Sequence, residues 1–328
     1  MKIKKILLVG CGEIGSRHLQ ALAKMELFVK ILVVDPNLAS LKIGKERFEQ
    51  IPSNNNIKSI NFETNLSNEF HELDLCIIST TSKIRFSVFK EITEKTNCKN
   101  FILEKVLFQE KQDFSKAEKI IENKQIKCWV NNYRREERYW KDVRNLFVDK
   151  GNFKLFYGNA DWHLCTNIIH IIDLITWLSN EKILNIDGSK LNRKILESKR
   201  SGFIELSGKI TGDITHNGSF ELESIENIRY NEVEFKIENK TTRLHIKEEK
   251  GEAILMKKEN NWLPEKQKVK IRFQSDATHK IIKSIFDTDN CNLPTFNQSI
   301  EIHMPVLDCI MNHLNKISNT KYSLCPIT

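Results

Sequence analysis

The sequence contains no Cys-x-x-Cys pair, although eight cysteines are spread over its 328 residues. Cys11, Cys76, Cys98, Cys128, Cys165, Cys291, Cys309 and Cys325 are scattered, several inside apolar runs such as Leu75-Cys76-Ile77-Ile78. That pattern argues against zinc ribbons and a disulfide framework, and buried thiols in a reducing compartment are expected. His163, Cys165 and His170 lie close in sequence, but their spacing fits no zinc template, so no metal is expected. Long runs of like charge are also missing: 51 Lys and Arg against 43 Asp and Glu leave a formal +8 that is spread along the chain. Such an excess favours small anionic ligands, and without a recognition module nucleic-acid binding is not expected. No stretch approaches the about 18 apolar residues of a membrane span. The start, Met1 to Gly10, is basic and apolar like a signal peptide, yet its short apolar run ends in a glycine loop, not a cleavage site. A cytoplasmic protein without a membrane partner is expected.

What is present is a soluble globular composition, 40% hydrophobic and 29% charged, on a chain long enough for two domains. Short apolar runs alternate with helix-period segments through the first 130 residues. Strands are expected at Ile6–Val9, Ile31–Val34, Leu73–Ser79, Phe101–Glu104 and Ile126–Asn131. Helices are expected at Ile14–Met25, Ile84–Lys95 and Phe114–Asn123, with a polar stretch around Pro52–Asn56. This is the pattern of βαβ units on a parallel sheet. Beyond about residue 150 the pattern changes: a strand at Phe153–Trp162, an apolar-faced helix at Asn167–Leu178, then period-2 alternation from Ile183 to Phe273. Phe203-Ile204-Glu205-Leu206 is one such run, and Asn217-Gly218 and Lys250-Gly251 read as turns between runs. A largely antiparallel sheet with one wet face follows. Helices at Ala277–Phe286 and Gln298–Ile317 close the chain. The expected division is 1–130, an α/β Rossmann domain, and 131–328, an α+β domain, with the helix over 298–317 returning to the first.

Gly10-Cys11-Gly12-Glu13-Ile14-Gly15 matches G-x-G-x-x-G directly after an apolar strand and at the start of a helix. Gly10 allows the tight turn, Gly12 the approach of a pyrophosphate, and Gly15 close packing of helix on strand, while the helix N-terminus offers N–H groups to an anion. Glu13 and Ile14 lie in the same loop. Asp35 ends the next strand, 20 residues beyond Gly15. A carboxylate there accepts hydrogen bonds from a ribose and repels a 2′-phosphate, which points to NAD over NADP.

Ser79-Thr80-Thr81-Ser82 follows a strand and precedes a helix, at the edge where ligands bind; Thr80 and Thr81 there either line a nicotinamide ribose or cap the helix. Glu104-Lys105 ends the next strand on the same edge, where Lys105 is either a polarising group beside a substrate oxygen or an ordinary strand-end lysine. His170 and Asp173 are three apart on one face of the apolar helix, as a coupled pair or as core residues. Asn131, Asn132, Tyr133 and Arg134 lie at and just after the end of the last of these strands, either as substrate donors, with Arg134 suited to a carboxylate or phosphate, or as a polar linker.

In this order, these residues resemble the glucose–fructose oxidoreductase and inositol dehydrogenase family (Gfo/Idh/MocA) over essentially the whole chain. Gly10–Gly15 with Arg17-His18 is similar to its opening segment. Thr80-Thr81-Ser82 with Arg85 resembles its Thr-Pro-Asn-x-x-His segment. Glu104-Lys105-Val106 resembles Glu-Lys-Pro, and His170, Asp173 and Trp177-Leu178 resemble its His-x-x-Asp helix. The chain departs from the family at Thr81 and Val106, which replace prolines, at Arg85, which replaces histidine, and at Thr166, which replaces an aspartate four residues before the histidine. The resemblance implies hydride transfer between NAD and a hydroxyl-bearing carbon of a sugar, sugar acid or nucleotide sugar. Lys105 and His170 would then be catalytic, and Arg134, Asn167 and Asp173 would contact substrate. Glu104, Thr80 and Thr81 would join the glycine loop around the cofactor, in a homodimer or homotetramer. The alternatives are a non-catalytic NAD-binding sensor or scaffold, favoured by Thr166, and a reductase of a non-sugar substrate.

Overall fold

The computed structural model describes residues 2–66, 70–228, 232–318 and 321–328. The chain divides into two compact units, Met1–Glu136 with Arg272–Gln298, and Glu137–Ile271 with Ser299–Thr328.

The first unit opens with β1 (Lys4–Val9), α1 (Glu13–Leu22), β2 (Val29–Val34), α2 (Leu38–Glu49) and β3 (Ile57–Glu63). It continues through β4 (Leu75–Ile78), α3 (Ser82–Lys95), β5 (Asn100–Leu103), α4 (Lys111–Lys124) and β6 (Lys127–Val130). Its six strands pair in parallel in the order β3-β2-β1-β4-β5-β6. The Rossmann sheet expected from the alternating pattern is present. Ile6, Leu7 and Leu8 on β1 and all of β4 are 0% exposed, which is why these strands read as unbroken apolar runs: both faces are covered. Two elements lie outside the expectation. Only Leu41 and Gly44 of α2 are buried, and β3 is an edge strand with no fully buried residue, so neither carries a strong periodic signal.

The second unit begins with α5 (Arg138–Phe147), β7 (Lys154–Ala160) and α6 (Leu164–Ser179). Strands follow: β8 (Ile183–Leu191), β9 (Leu196–Glu197), β10 (Ile204–Glu205), β11 (Gly208–Ile214), β12 (Gly218–Ser224), β13 (Glu234–Glu238), β14 (Thr242–Lys247), β15 (Glu252–Lys257) and β16 (Glu265–Lys268). Eight of them form a sheet in the order β16-β15-β14-β13-β7-β12-β11-β8, while β9 and β10 form a separate ribbon. Only β7 and β12 pair in parallel, so the sheet is largely antiparallel, as expected. One face is buried: Tyr157 packs against Trp162 and Phe235, with ring centroids 4.8 and 4.3 Å apart, and Trp140 of α5 meets Phe235 at 5.1 Å. The other face, with Lys154, Asp213 and Lys236, is exposed. Alternation along β12, buried at Phe220 and Leu222 and half-buried at Ser219 and Glu221, records the difference.

After β16, the segment Arg272–Gln298 belongs to the first unit and carries α7 (Thr278–Thr288). Ala277, Ile281, Ile282 and Ile285 join the core of β1 and β2. The final helix α8 (Phe296–Ile317) belongs to the second unit from Ser299 onward, and His313 Nε2 bonds the Asn192 carbonyl there at 3.0 Å. The segment Arg272–Gln298 thus rejoins the first unit after the strands of the second. No helix among the described residues is long and apolar enough to cross a membrane.

Candidate functional site

Each strand of the parallel sheet hands its last hydrogen bond to the residue just beyond its neighbour. Asp35 N–H donates to Glu63, Gly10 to Val34, Ser79 to Val9, Glu104 to Ile78, and Asn131 to Leu103, at 2.8–3.2 Å. These five residues therefore stand in a row along the carboxyl edge of the sheet. Strand order reverses between β1 and β4, so the crevice outside the sheet opens between Gly10 and Ser79. At about 4.8 Å per strand, Asp35 and Glu104 lie roughly 14 Å apart along the row.

The glycine loop fills the crevice floor. Gly10 has φ +88, and a Cβ there would press on the Thr80 nitrogen at 3.0 Å. A Cβ on Gly15 would run into the Gly10 carbonyl oxygen and Ser79 Oγ, so α1 lies close on β1 and β4. Gly12, in contrast, would point a Cβ into open space, and no side chain caps α1 at this end. Open space over uncapped helix N–H groups suits an anionic group brought close to the backbone. Glu13 turns outward to a bidentate pair with Arg47 at 3.1 Å, and Ile14 is partly exposed. The Asp35 carboxylate accepts the Cys11 N–H at 2.7 Å and the Asn37 N–H at 2.8 Å. It is anchored to the loop yet partly exposed, with lone pairs left to accept from a ribose. Thr80 Oγ1 is buried and has no partner among the described residues, and Thr81, at the N-cap of α3, makes no side-chain cap bond. The residues therefore fit a dinucleotide.

Lys105 is the one partly exposed residue between Phe101 and Phe108. The Lys105–Val106 peptide is cis. Arg85, 1% exposed, clamps this turn: its guanidinium donates to the carbonyls of Val106 and Thr80, and to that of Leu107 at 3.0 Å. Glu104, expected beside the cofactor, is 4% exposed and faces a buried polar network. Its Oε1 is shared by His18 Nε2 at 2.9 Å and by Asn131 Nδ2. His18 Nδ1 meets Thr278 Oγ1 at 2.8 Å, Gln274 donates to Thr278 at 2.7 Å, and Asn131 donates to Gln274 at 2.9 Å. Burial pulls the Glu104 pKa up, but the hydrogen bond and charge of His18, the Lys105 ammonium and Asn131 outweigh it and hold the carboxyl at about 2.

A carboxyl held below its ordinary value stabilises the fold above that value, and this contribution is lost as pH falls through the folded one. Stability should therefore decline as pH drops from 4.5 toward 2, by on the order of 3 kcal/mol in all. Unfolding curves for wild type and Glu104→Gln check this: the variant should show a flatter acid slope, and equal slopes would remove the network's electrostatic role.

In the second unit, Thr166, Asn167 and His170 are the partly exposed positions in the first two turns of α6 and share one face, while Asp173 is 1% exposed. Asn167 Nδ2 donates to the Trp162 carbonyl at 2.7 Å. Arg134 is partly exposed in a single 3₁₀ turn, Tyr133–Glu136. Sequence reading missed the Arg85 clamp and the His18–Glu104–Asn131–Gln274 network. Gln274 lies 143 residues from Asn131, and no local pattern signals so distant a pairing.

No protein-family model matches the chain, and a comparison with curated proteins finds none that matches. Solved structures do match. UDP-N-acetylglucosamine 3-dehydrogenase from Acidithiobacillus ferrooxidans superposes with a TM-score of 0.69 at 11% identity, covering 94% of this chain and 97% of that one. Levoglucosan dehydrogenase in complex with NADH and levoglucosan gives 0.69 at 14% identity, with 97% and 98% covered. The transcriptional regulator Gal80p from Kluyveromyces lactis gives 0.70 at 13%, with 98% and 95% covered. What this chain shares with them is the fold, a Rossmann unit followed by an α+β unit with an open sheet.

Proposed function

We propose that the chain is an NAD-dependent oxidoreductase of the Gfo/Idh/MocA family, acting on a hydroxyl-bearing carbon of a sugar, sugar acid or nucleotide sugar. The observation that carries this reading is the row along the carboxyl edge, with an anchored carboxylate at Asp35, an open glycine loop at the strand reversal, and Lys105 emerging beside Glu104. Bound nicotinamide would supply the hydride acceptor or donor. The chain's own residues do the rest. Gly10, Gly12, Glu13, Ile14 and Gly15 hold the pyrophosphate by backbone, Asp35 accepts from the adenosine ribose, and Thr80 and Thr81 face the nicotinamide ribose. Lys105 stabilises the alkoxide or takes its proton, while Glu104 acts through its position and charge. His170 orients the substrate or shares the proton, with Arg134, Asn167 and Asp173 as substrate-side residues. The structures of a nucleotide-sugar dehydrogenase and of levoglucosan dehydrogenase support this substrate class through fold alone. The exposed sheet face suits a homodimer or homotetramer, and sedimentation that shows a monomer would refute it.

The test is NADH formation with a panel of sugars, sugar acids and nucleotide sugars, together with calorimetric titration of both cofactors. NAD should bind more tightly than NADP, and Asp35→Ser should narrow the gap. Tighter NADP binding by the unmodified protein overturns the assignment. A second reading, a non-catalytic NAD-binding sensor, draws on the non-ionisable Thr166 and on the likeness to a transcriptional regulator. Cofactor binding without turnover on any of the panel favours it.

A further inference from the structure

Position 166 lacks a carboxylate in the sequence, but the fold brings one to it. Glu205 of β10 is 5% exposed. Its Oε2 accepts the Cys165 N–H at 2.7 Å, its Oε1 accepts the Thr166 N–H at 3.2 Å, and the Thr166 hydroxyl also donates to Oε1. These bonds cap α6, and capping alone is the plain explanation. Yet burial pushes the Glu205 pKa up, despite the bonds from Thr166 and Cys165 and the charge of His163 that pull it down. A carboxyl with a raised folded value stabilises the protein only below its ordinary value, and the benefit fades as pH rises through the folded one. The geometry reaches beyond the helix end, because the Thr166 side chain that Glu205 holds lies on the same face of α6 as His170.

We infer that Glu205 is a positioning residue for the His170 face of α6: through the Thr166 hydroxyl it places an ionisable carboxylate one helical turn from His170, at a position whose own side chain cannot ionise. The inference rests on the oxidoreductase reading. Residues i and i+4 on a helix are about 6 Å apart, so Thr166 and His170 flank the same patch. Because the Thr166 hydroxyl gives its proton to Glu205, the carboxylate is coupled to the face that Thr166 shares with His170. Protonating Glu205 removes its charge and turns one of its oxygens into a donor, which weakens this coupling. Beside Glu205 lie His163, which is 3.7 Å from Asp161, and the thiol of Cys165, pushed up by burial, with the equally raised thiols of Cys309 and Cys325 near Cys165.

Turnover against pH, with melting temperature, tests this on wild type, Glu205→Gln and Thr166→Val. Glu205→Gln keeps an acceptor for Cys165 but turns a donor toward Thr166. The expected result is a fall in kcat of about ten-fold or more and loss of the acid limb of the profile, with no drop in melting temperature at neutral pH. Thr166→Val should lose the same limb. A glutamine variant that melts lower while keeping its kcat and acid limb would make Glu205 a helix cap only and overturn the inference. Absence of turnover in wild type fails the oxidoreductase reading itself. Histidine NMR then decides: the His170 resonance, assigned with His170→Asn, should shift its titration midpoint by about half a pH unit or more in Glu205→Gln. An unmoved midpoint overturns the inference.

Discussion

Replacing Lys105 by methionine should lower hydride transfer by a factor of about 100 or more, the usual scale for losing a general acid or base. Methionine keeps the length and apolar stem of lysine and removes only the charge and the proton. Lys105 is partly exposed while its neighbours from Phe101 to Phe108 are buried, so the exchange disturbs little packing. Cofactor affinity and melting temperature should therefore stay close to wild type, because the glycine loop and Asp35 do not depend on the ammonium. One secondary effect follows from the electrostatics: the Lys105 charge helps to hold Glu104 ionised, so the variant should lose slightly less stability than wild type as pH falls. Single-turnover rates with bound NAD, measured beside calorimetric affinities, decide the matter. Near-normal turnover would return Lys105 to the status of a strand-end residue and send the chemistry to another group.

The second large effect belongs to stability. Arg85→Met should destabilise the first unit by on the order of 3 kcal/mol or more. It strands the buried carbonyls of Thr80, Val106 and Leu107, each worth about 1–3 kcal/mol when left without a donor. For a domain of this size that is a fall of roughly 6–12 °C in melting temperature. Arg85→Lys should recover only part of it, since one ammonium cannot reproduce a planar fork reaching two loops. Activity should fall as well, because the same guanidinium joins the loop after β4 to the turn that presents Lys105. A methionine variant that melts within about 1 °C of wild type would show that water or backbone shifts satisfy these carbonyls, and the clamp would lose its importance.

The glycine loop, Asp35 and the alternation of strand and helix were legible because each is a local signal. Gly10 must take a positive φ and Gly15 must let a helix lie close on a strand, and both demands act within a few residues. The central strands were equally plain, since burial on both faces leaves an unbroken apolar run. Of the elements that escaped notice, α2 and β3 bury little and so impose little on composition, whereas α5 was missed although it buries Trp140, Val143 and Phe147.

His18, Glu104, Asn131, Gln274 and Thr278 behave differently. Each is an unremarkable polar residue in its own segment, and they become one network only when α7 joins the core of β1 and β2. Glu205 is the sharper case, for it reads as the outward position of an alternating strand and proves to be buried against the start of α6. Local sequence determined most of the secondary structure, the glycine loop and the row of residues at the sheet edge, because backbone geometry and burial periodicity are properties of short segments. Only the tertiary structure decided which carboxylate meets Thr166 and which donors satisfy Glu104. Buried polar groups must be paired across whatever segments the fold brings together, and chain distance carries no record of those pairings.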